Sequence, residues 1–211
     1  MSFYGFARAL LYLPVKILYP TKYLGSADKV TEKKLVITAN HRSLLDPVIL
    51  GVHLKPHLHF MSKAELWDNR LLGRILNGLQ AIPVHRGSAD LNATKQALKV
   101  LKNNQVFAVF PEGTRNHTQD DLQEFKNGAA MIAIKTQSPI RVYYMAKKPR
   151  VFRKNYVVVG EEFTLDAFYG QKLTKETLDE ATQVLEAEYR KLHEAYEAFC
   201  AQKRAKKKGK R

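Results

Sequence analysis

The 211 residues suit one sizeable domain with a single buried core, so a two-domain reading is excluded in favour of a compact chain. A hydrophobic content of 45% can fill that core, while 35 Lys and Arg against 20 Asp and Glu leave a net charge of +15 and call for an acidic partner. One cysteine, Cys200, excludes an intramolecular disulfide and has no thiolate-activating neighbours.

In chain order, the first stretch is MSFYGFARALLYLPVKILYP. Arg8, Pro14, Lys16 and Pro20 interrupt it, so it contains no apolar run of the roughly 20 residues that span a bilayer. It lacks the charged start and small-residue cleavage site of a signal peptide, which predicts a chain that stays in the cytoplasm. Phe3, Phe6, Leu10, Leu13 and Ile17 recur at three or four residues with tyrosines interleaved. Such a helix suits a membrane interface, where rings bury their bodies and cations meet phosphate, or packs its stripe onto the protein's own core.

Beyond it, short runs rich in β-branched or aromatic residues alternate with helical periodicity, which predicts an α/β fold. The strands expected are residues 34–39, 58–61, 81–84, 105–110, 139–145 and 155–160, with helices between them. One helix is expected over 88–104 with Ser88 as its cap. A last, long helix starts near Thr174, its stripe running through Leu178, Ala181, Leu185, Tyr189, Leu192, Tyr196 and Phe199. The expected architecture is a single domain with a central, mostly parallel sheet flanked by helices. The segments expected are an amphipathic stretch over residues 1–30, a candidate for membrane contact, the domain over 31–200 and a basic tail over 201–211. The last ten residues carry seven cations and no acid, so the rest of the chain is still at +8, and the tail reads as a solvated, disordered end or an attachment to anionic polymer or lipid.

Ligands of α/β folds gather where strand ends lead into helices. Three polar clusters fall there: NHRSLLD after LVITA, HRG (85–87) after AIPV, and PEGTRN (111–116) after QVFAVF. On one continuous helix, five residues turn through about 500°, so His41 and Asp46 would diverge. They meet only if His41 precedes the helix, with Ser43 or Asp46 as its N-cap and Pro47 in the first turn. A carboxylate on Nδ1 then leaves the other ring nitrogen as a base. The alternative is that Asp46 merely caps the helix and His41 is a polar surface residue. Arg86 and Arg115 offer guanidinium forks for an anion, and Gly113 lets a tight turn close.

These clusters carry a family resemblance. NHRSLLD matches the N-H-x-x-x-x-D motif of the glycerolipid acyltransferases, and FPEGTRN resembles their F-P-E-G-T-R-S motif. Gly78 to Gly87 is similar to the second family block, MSKAEL (61–66) to the lysine segment before it, and Phe125-Lys126-Asn127-Gly128-Ala129 to the stretch after the third. The likeness runs from residue 35 to residue 145 and is strongest toward the lysophosphatidate acyltransferases. Asn116 stands in place of the usual serine, and Val142 in place of a common proline.

The resemblance implies acyl transfer from an acyl thioester, of coenzyme A or acyl carrier protein, to the free hydroxyl of 1-acyl-sn-glycerol-3-phosphate. It implies His41 as general base and Asp46 as its orienting carboxylate, with no metal and no further cofactor. Arg86, Glu112, Gly113, Thr114, Arg115 and Lys126 are the implied substrate-binding set. Within it Arg86 and Arg115 take the phosphate, and Glu112 bonds an acceptor hydroxyl or holds Arg115. Asn40 is expected to orient His41 or to bind an oxyanion. A bilayer-resident substrate implies a peripheral or monotopic protein on the cytoplasmic face of the cell membrane, whose basic surface is drawn to anionic lipid. No nucleic-acid partner is expected. The rival readings are a basic nucleic-acid-binding module, for which the chain has no recognised reading motif, and a membrane-interaction protein without catalysis.

Overall fold

A computed structural model describes residues 2–25, 33–85, 90–118 and 122–208. Strand β1 (Thr21–Gly25) follows helix α1 (Phe3–Leu18). Then come β2 (Leu35–Ala39), α2 (Asp46–His53), β3 (Leu58–Lys63), α3 (Arg70–Gly78), β4 (Ile82–Val84), α4 (Leu91–Lys102) and β5 (Val106–Val109). The chain closes with α5 (Gly128–Thr136), β6 (Ile140–Met145), β7 (Asn155–Phe163) and α6 (Lys175–Lys208).

The seven strands form one sheet in the order β1-β7-β6-β2-β5-β3-β4. All neighbouring pairs are parallel except β6 with β7. Buried on both faces, the central strands need no alternation: LVITA and IRVYYM are buried at every position. One face, with Val36, Phe107, Val142, Tyr144 and Val158, packs under α4, α5 and α6. The other, with Leu35, Ile37, Ala39 and Val157, packs with Leu50 of α2 and Leu58.

All six expected strands are present, and the sheet is mostly parallel. The seventh, β1, lies inside the segment assigned to membrane contact and pairs with β7 from Thr21 against Asn155 to Gly25 against Val159. A five-residue edge strand whose partner lies over 130 positions away leaves no periodic signal. Helix α4 starts later than expected, capped by Asp90, whose carboxylate accepts the Ala93 N–H; Ser88 falls outside the described residues. The long last helix starts at Lys175, beside the expected Thr174, and does not stop at 200. Residues 201–208 continue it and are all exposed, so the tail is solvated but helical as far as it is described.

Helix α1 turns its stripe outward. Phe3, Phe6, Leu10, Leu13 and Ile17 are all exposed, and Val15 is the one residue of the helix that is buried, against Ile49 and Val52. Packing of the stripe on the protein's own core is therefore excluded. The helix is fastened instead by polar contacts: the Tyr4 hydroxyl donates to Gly51 O, and the Arg8 guanidinium to Val52 O and Lys55 O. Among the described residues no helix is long and apolar enough to cross a membrane.

The core stripe of α6 makes it part of the domain. Leu185→Ala, at a fully buried position, is expected to lower stability by about 2–5 kcal/mol. Urea denaturation would show this as a lower midpoint with an unchanged slope; a shift within error would mean that α6 is peripheral to the fold.

Candidate functional site

Because β2 to β6 run parallel, their last residues Ala39, Lys63, Val84, Val109 and Met145 share one edge of the sheet. The three polar clusters begin there. NHRSLLD and PEGTRN leave adjacent strands, whereas HRG leaves β4, two strands from β5 and so roughly 10 Å across the sheet. Arg86 and Gly87 of that cluster lie outside the described residues.

His41 precedes α2, which starts at Asp46, and the two side chains meet: Nδ1 of His41 is 3.0 Å from Oδ2 of Asp46. The same Oδ2 accepts the backbone N–H groups of Arg42 and Ser43, each at 2.6 Å. The expected cap is not formed. No side chain caps α2, its N-cap position is Leu45, and Ser43 Oγ accepts the Leu45 N–H instead. Asp46 reaches backwards, toward the loop before the helix, and closes that loop around the imidazole. A carboxylate on Nδ1 fixes the tautomer with the proton there and leaves Nε2 free to accept. Asp46 is wholly buried while the His41 side chain is 11% exposed, so the imidazole is the member of the pair that a ligand can touch.

Three contacts hold the His41 backbone and ring. Its N–H donates to Oε1 of Glu112 at 2.9 Å, and its carbonyl accepts the Asn116 N–H at 2.6 Å. Its ring stacks on Phe110 at 4.1 Å, which in turn stacks on Phe60. The PEGTRN loop thus clasps the histidine from both ends, carrying the half-buried Arg115 and the exposed Thr114 beside it. Gly113 has φ +68°, and a Cβ there would fall 3.0 Å from Cδ and Cε of Lys126. The Lys126 stem therefore lies over the turn, bringing a second cation to the loop.

Two expected roles change. Glu112 is buried and turned inward to the His41 N–H, rather than outward to a hydroxyl or to Arg115, because that N–H needs an acceptor in the interior. Asn40, fully buried, accepts the Met145 N–H at 2.6 Å and donates to Met145 O at 3.1 Å. Its amide clamps the end of β6 to the end of β2, so it is not aimed at an oxyanion. Sequence reasoning passed over Phe110, although the quoted motif contains it. It read Tyr189 of α6 only as part of the apolar stripe; the residue is a fully buried phenol edge-on to Phe125 at 4.7 Å and close enough to Glu112 to feel its charge. Among the described residues no group of His, Cys, Asp and Glu is arranged to hold a metal.

Burial, and secondarily the charge of Asp46, push the Glu112 carboxyl up to about 7, against the opposing His41 N–H and the Arg42 charge. In the unfolded chain a glutamate ionises near about 4.3. Between these values the folded protein holds the extra proton, so stability falls as pH rises through the window and the loss is complete above it. Glu112→Gln keeps an oxygen for the His41 N–H but does not titrate. Its urea midpoint should gain on the wild type as pH rises from about 5 to about 7.5; a pH-independent difference would overturn this account.

Comparison with known proteins places the site in a family. The family model described as "Acyltransferase" matches residues 22–145, more than half of the chain. The 1-acyl-sn-glycerol-3-phosphate acyltransferase of Bacillus subtilis (strain 168) is 30% identical over 138 residues, 65% of this chain and 68% of that protein. The enzyme of the same name from Streptococcus pneumoniae is 32% identical over 135 residues, 62% of this chain and 49% of its own length. The one from Saccharomyces cerevisiae is 29% identical over 142 residues, 65% and 45% of the two chains, so several relatives are about twice as long as the part matched. In fold, the chain is similar to the crystal structure of the 1-acyl-sn-glycerophosphate (LPA) acyltransferase PlsC from Thermotoga maritima, with a TM-score of 0.64 and 24% identity over 92% of this chain and 77% of that one. The chain belongs to the acyltransferase family of enzymes.

Proposed function

We propose that the protein transfers a fatty acyl group from an acyl thioester to the free hydroxyl of 1-acyl-sn-glycerol-3-phosphate, forming phosphatidic acid for phospholipid synthesis. The observation that carries the reading is the His41–Asp46 pair, with Nδ1 held at 3.0 Å on a buried carboxylate that two backbone N–H groups also fix. The curated relatives bear the name of this activity.

The acceptor hydroxyl is a weak nucleophile at neutral pH. His41 Nε2 takes its proton as the oxygen attacks the thioester carbonyl carbon, and Asp46 stabilises the imidazolium that forms. The tetrahedral intermediate collapses by breaking the C–S bond, and the departing sulfur takes the proton from the imidazolium. Ester and free thiol are the products, and the histidine returns to its starting state. No covalent acyl-enzyme is required. Arg115 and Lys126 at the PEGTRN turn, with Arg86 of the neighbouring cluster, hold the acceptor phosphate, guanidinium forks matching its oxygens. Glu112 acts from behind, fixing the His41 backbone. The donor is acyl-CoA or an acyl carrier protein, both strongly acidic and suited to a chain of net charge +15.

The substrate's residence in a bilayer gives the outward stripe of α1 its partner. Phe6 at 52%, Leu10 at 63%, Leu13 at 62% and Ile17 at 59% exposure form an apolar surface of the kind that marks an interaction site. Sixteen residues rise roughly 24 Å, short of a hydrocarbon core of about 30 Å, so the helix lies in the interface and makes the protein peripheral or monotopic on the cytoplasmic face.

Thiol release from acyl-CoA, and from an acyl carrier protein donor, with and without lysophosphatidate, tests the activity. His41→Ala is expected to lower kcat/KM by about 10²–10⁴-fold and Asp46→Asn to lower it in the same direction. Rates equal to the wild type would exclude the mechanism. Arg115→Ala should raise KM for lysophosphatidate by about tenfold or more and change that for a monoacylglycerol far less. An equal effect on both would remove Arg115 from the phosphate site, and steeply salt-dependent nucleic-acid binding without acyl transfer would favour the nucleic-acid reading.

A further inference from the structure

The connection between β6 and β7 is residues 146–154 (AKKPRVFRK); Ala146 is in the core, and residues 147–154 are used by neither the acyl-transfer site nor the core. Lys147, Lys148, Arg150, Arg153 and Lys154 make five cations in nine residues with no acid, and all five are exposed. At its tip Val151 is 47% and Phe152 70% exposed.

The tip is held in that pose. Asn155 Oδ1 accepts the Arg150 N–H, and Asn155 Nδ2 donates to the carbonyls of Arg150 and Arg153. Phe152 has φ +54°, a left-handed backbone that a bulky side chain rarely adopts. Strain of this kind persists where the surroundings enforce it and gathers at functional sites. Here it serves no packing, since the ring it presents points its area at solvent. The Phe152 N–H donates to Leu18 O at 2.7 Å, fastening the tip to the last turn of α1, where Ile17 and Leu18 are themselves exposed. The base of the loop is Met145, clamped by Asn40, the neighbour of His41. Cations continue from Lys154 onto Lys22, Lys203 and Lys206, which line a shallow groove with Tyr156 and Phe199.

We propose that this loop is a second membrane contact, a wedge that inserts Val151 and Phe152 among anionic lipid headgroups and, with α1, holds the catalytic edge of the sheet against the bilayer. Apolar side chains ringed by Lys and Arg suit the interface, where the former reach the acyl boundary and the latter meet lipid phosphate. A surface for nucleic acid would use the cations and could stack a base on Phe152, but it would leave the aliphatic Val151, Ile17 and Leu18 beside that ring in water, whereas an acyl boundary takes all four. The proposal rests on the reading of the protein as an enzyme of a lipid substrate, and vesicle binding is measured apart from activity.

Co-sedimentation of the full chain with phosphatidylcholine vesicles, with and without phosphatidylglycerol, reads the contact. Phe152→Gly suits φ +54° and leaves the fold intact, so its urea midpoint should equal or exceed the wild type's. Combined with Val151→Ser, it should lower binding to the anionic vesicles by about tenfold or more. Lys147→Gln, Lys148→Gln and Arg150→Gln together should remove the preference for phosphatidylglycerol. Turnover of a short-chain lysophosphatidate below its micelle concentration should be unchanged in Phe152→Gly, while turnover of vesicle-borne substrate falls with binding. Wild-type binding by the Phe152→Gly, Val151→Ser protein would overturn the wedge even if the enzyme turns over. Binding that depends on Phe152 in a protein without turnover would uphold the wedge and overturn the activity instead.

Discussion

The Asp46 carboxylate is the constraint on which the rest of the structure depends. It has no exposure, and a buried carboxylate must be met by donors; three converge on Oδ2, while Oδ1 has no partner among the described residues. One of its oxygens takes the imidazole Nδ1 and two backbone N–H groups, so the loop from Arg42 to Ser43 must curl toward the start of α2. That curl lifts His41 off any helical path and aims it at the strand edge. The oxygen that orients the imidazole is therefore the one that folds the loop. Loss of the aspartate would release two backbone donors and an imidazole together.

The parallel sheet supplies the second condition. Strands that all run one way deliver their terminal loops to one edge, and β2 and β5, adjacent in the sheet, deliver the two motifs that lie seventy residues apart. Their closeness lets the second loop brace the first: Glu112 takes the N–H of His41, Asn116 donates to its carbonyl, and Phe110 supports its ring. Glu112 accepts burial to do so, which is why its proton is held to about 7. Burial, with the Asp46 charge as a smaller cause, favours the neutral form of the Glu112 carboxyl. Tyr189 extends the same wall into α6, beyond the region that the family model spans.

What the sequence made legible follows from range. Runs such as LVITA and QVFAVF are apolar because both sheet faces bury them, a local signal, and the alternation with helical periods announces a parallel sheet. The five-residue spacing of His41 and Asp46 placed the histidine before a helix by geometry alone. The direction in which side chains turn was not legible. Ser43 and Asp46 read as caps, yet Asp46 bonds backwards because its donors are in the loop. Glu112 read as bonding an acceptor hydroxyl or holding Arg115, and Asn40 as orienting His41 or binding an oxyanion, yet each bonds a backbone group of a strand or loop distant in sequence. For α1 the period reported an apolar stripe without its phase; Val15 meeting Ile49 and Val52 decides that the stripe faces out. Strand β1 needed β7 to be seen, and β7 is recruited only once the chain is folded.

The outward stripe and the edge of the sheet that carries His41 are connected by the path of the chain. Helix α1 starts near the far edge, where Phe3 lies against Gly78 and Tyr4 bonds Pro56, and ends at the edge where β1 and β7 begin. An antiparallel β7 is what makes this possible: it begins where β6 ends, so the Asn155 N–H donates to Pro20 O, just past α1. A helix lying flat on a bilayer would leave the sheet free to roll about the helix axis, because one amphipathic cylinder fixes depth but not rotation. A second point of contact limits that rotation, and the connection after β6, the strand beside β2, presents five cations and an apolar tip next to the last turn of α1. The reversal of one strand in an otherwise parallel sheet thus places that loop on the edge of the sheet that carries His41.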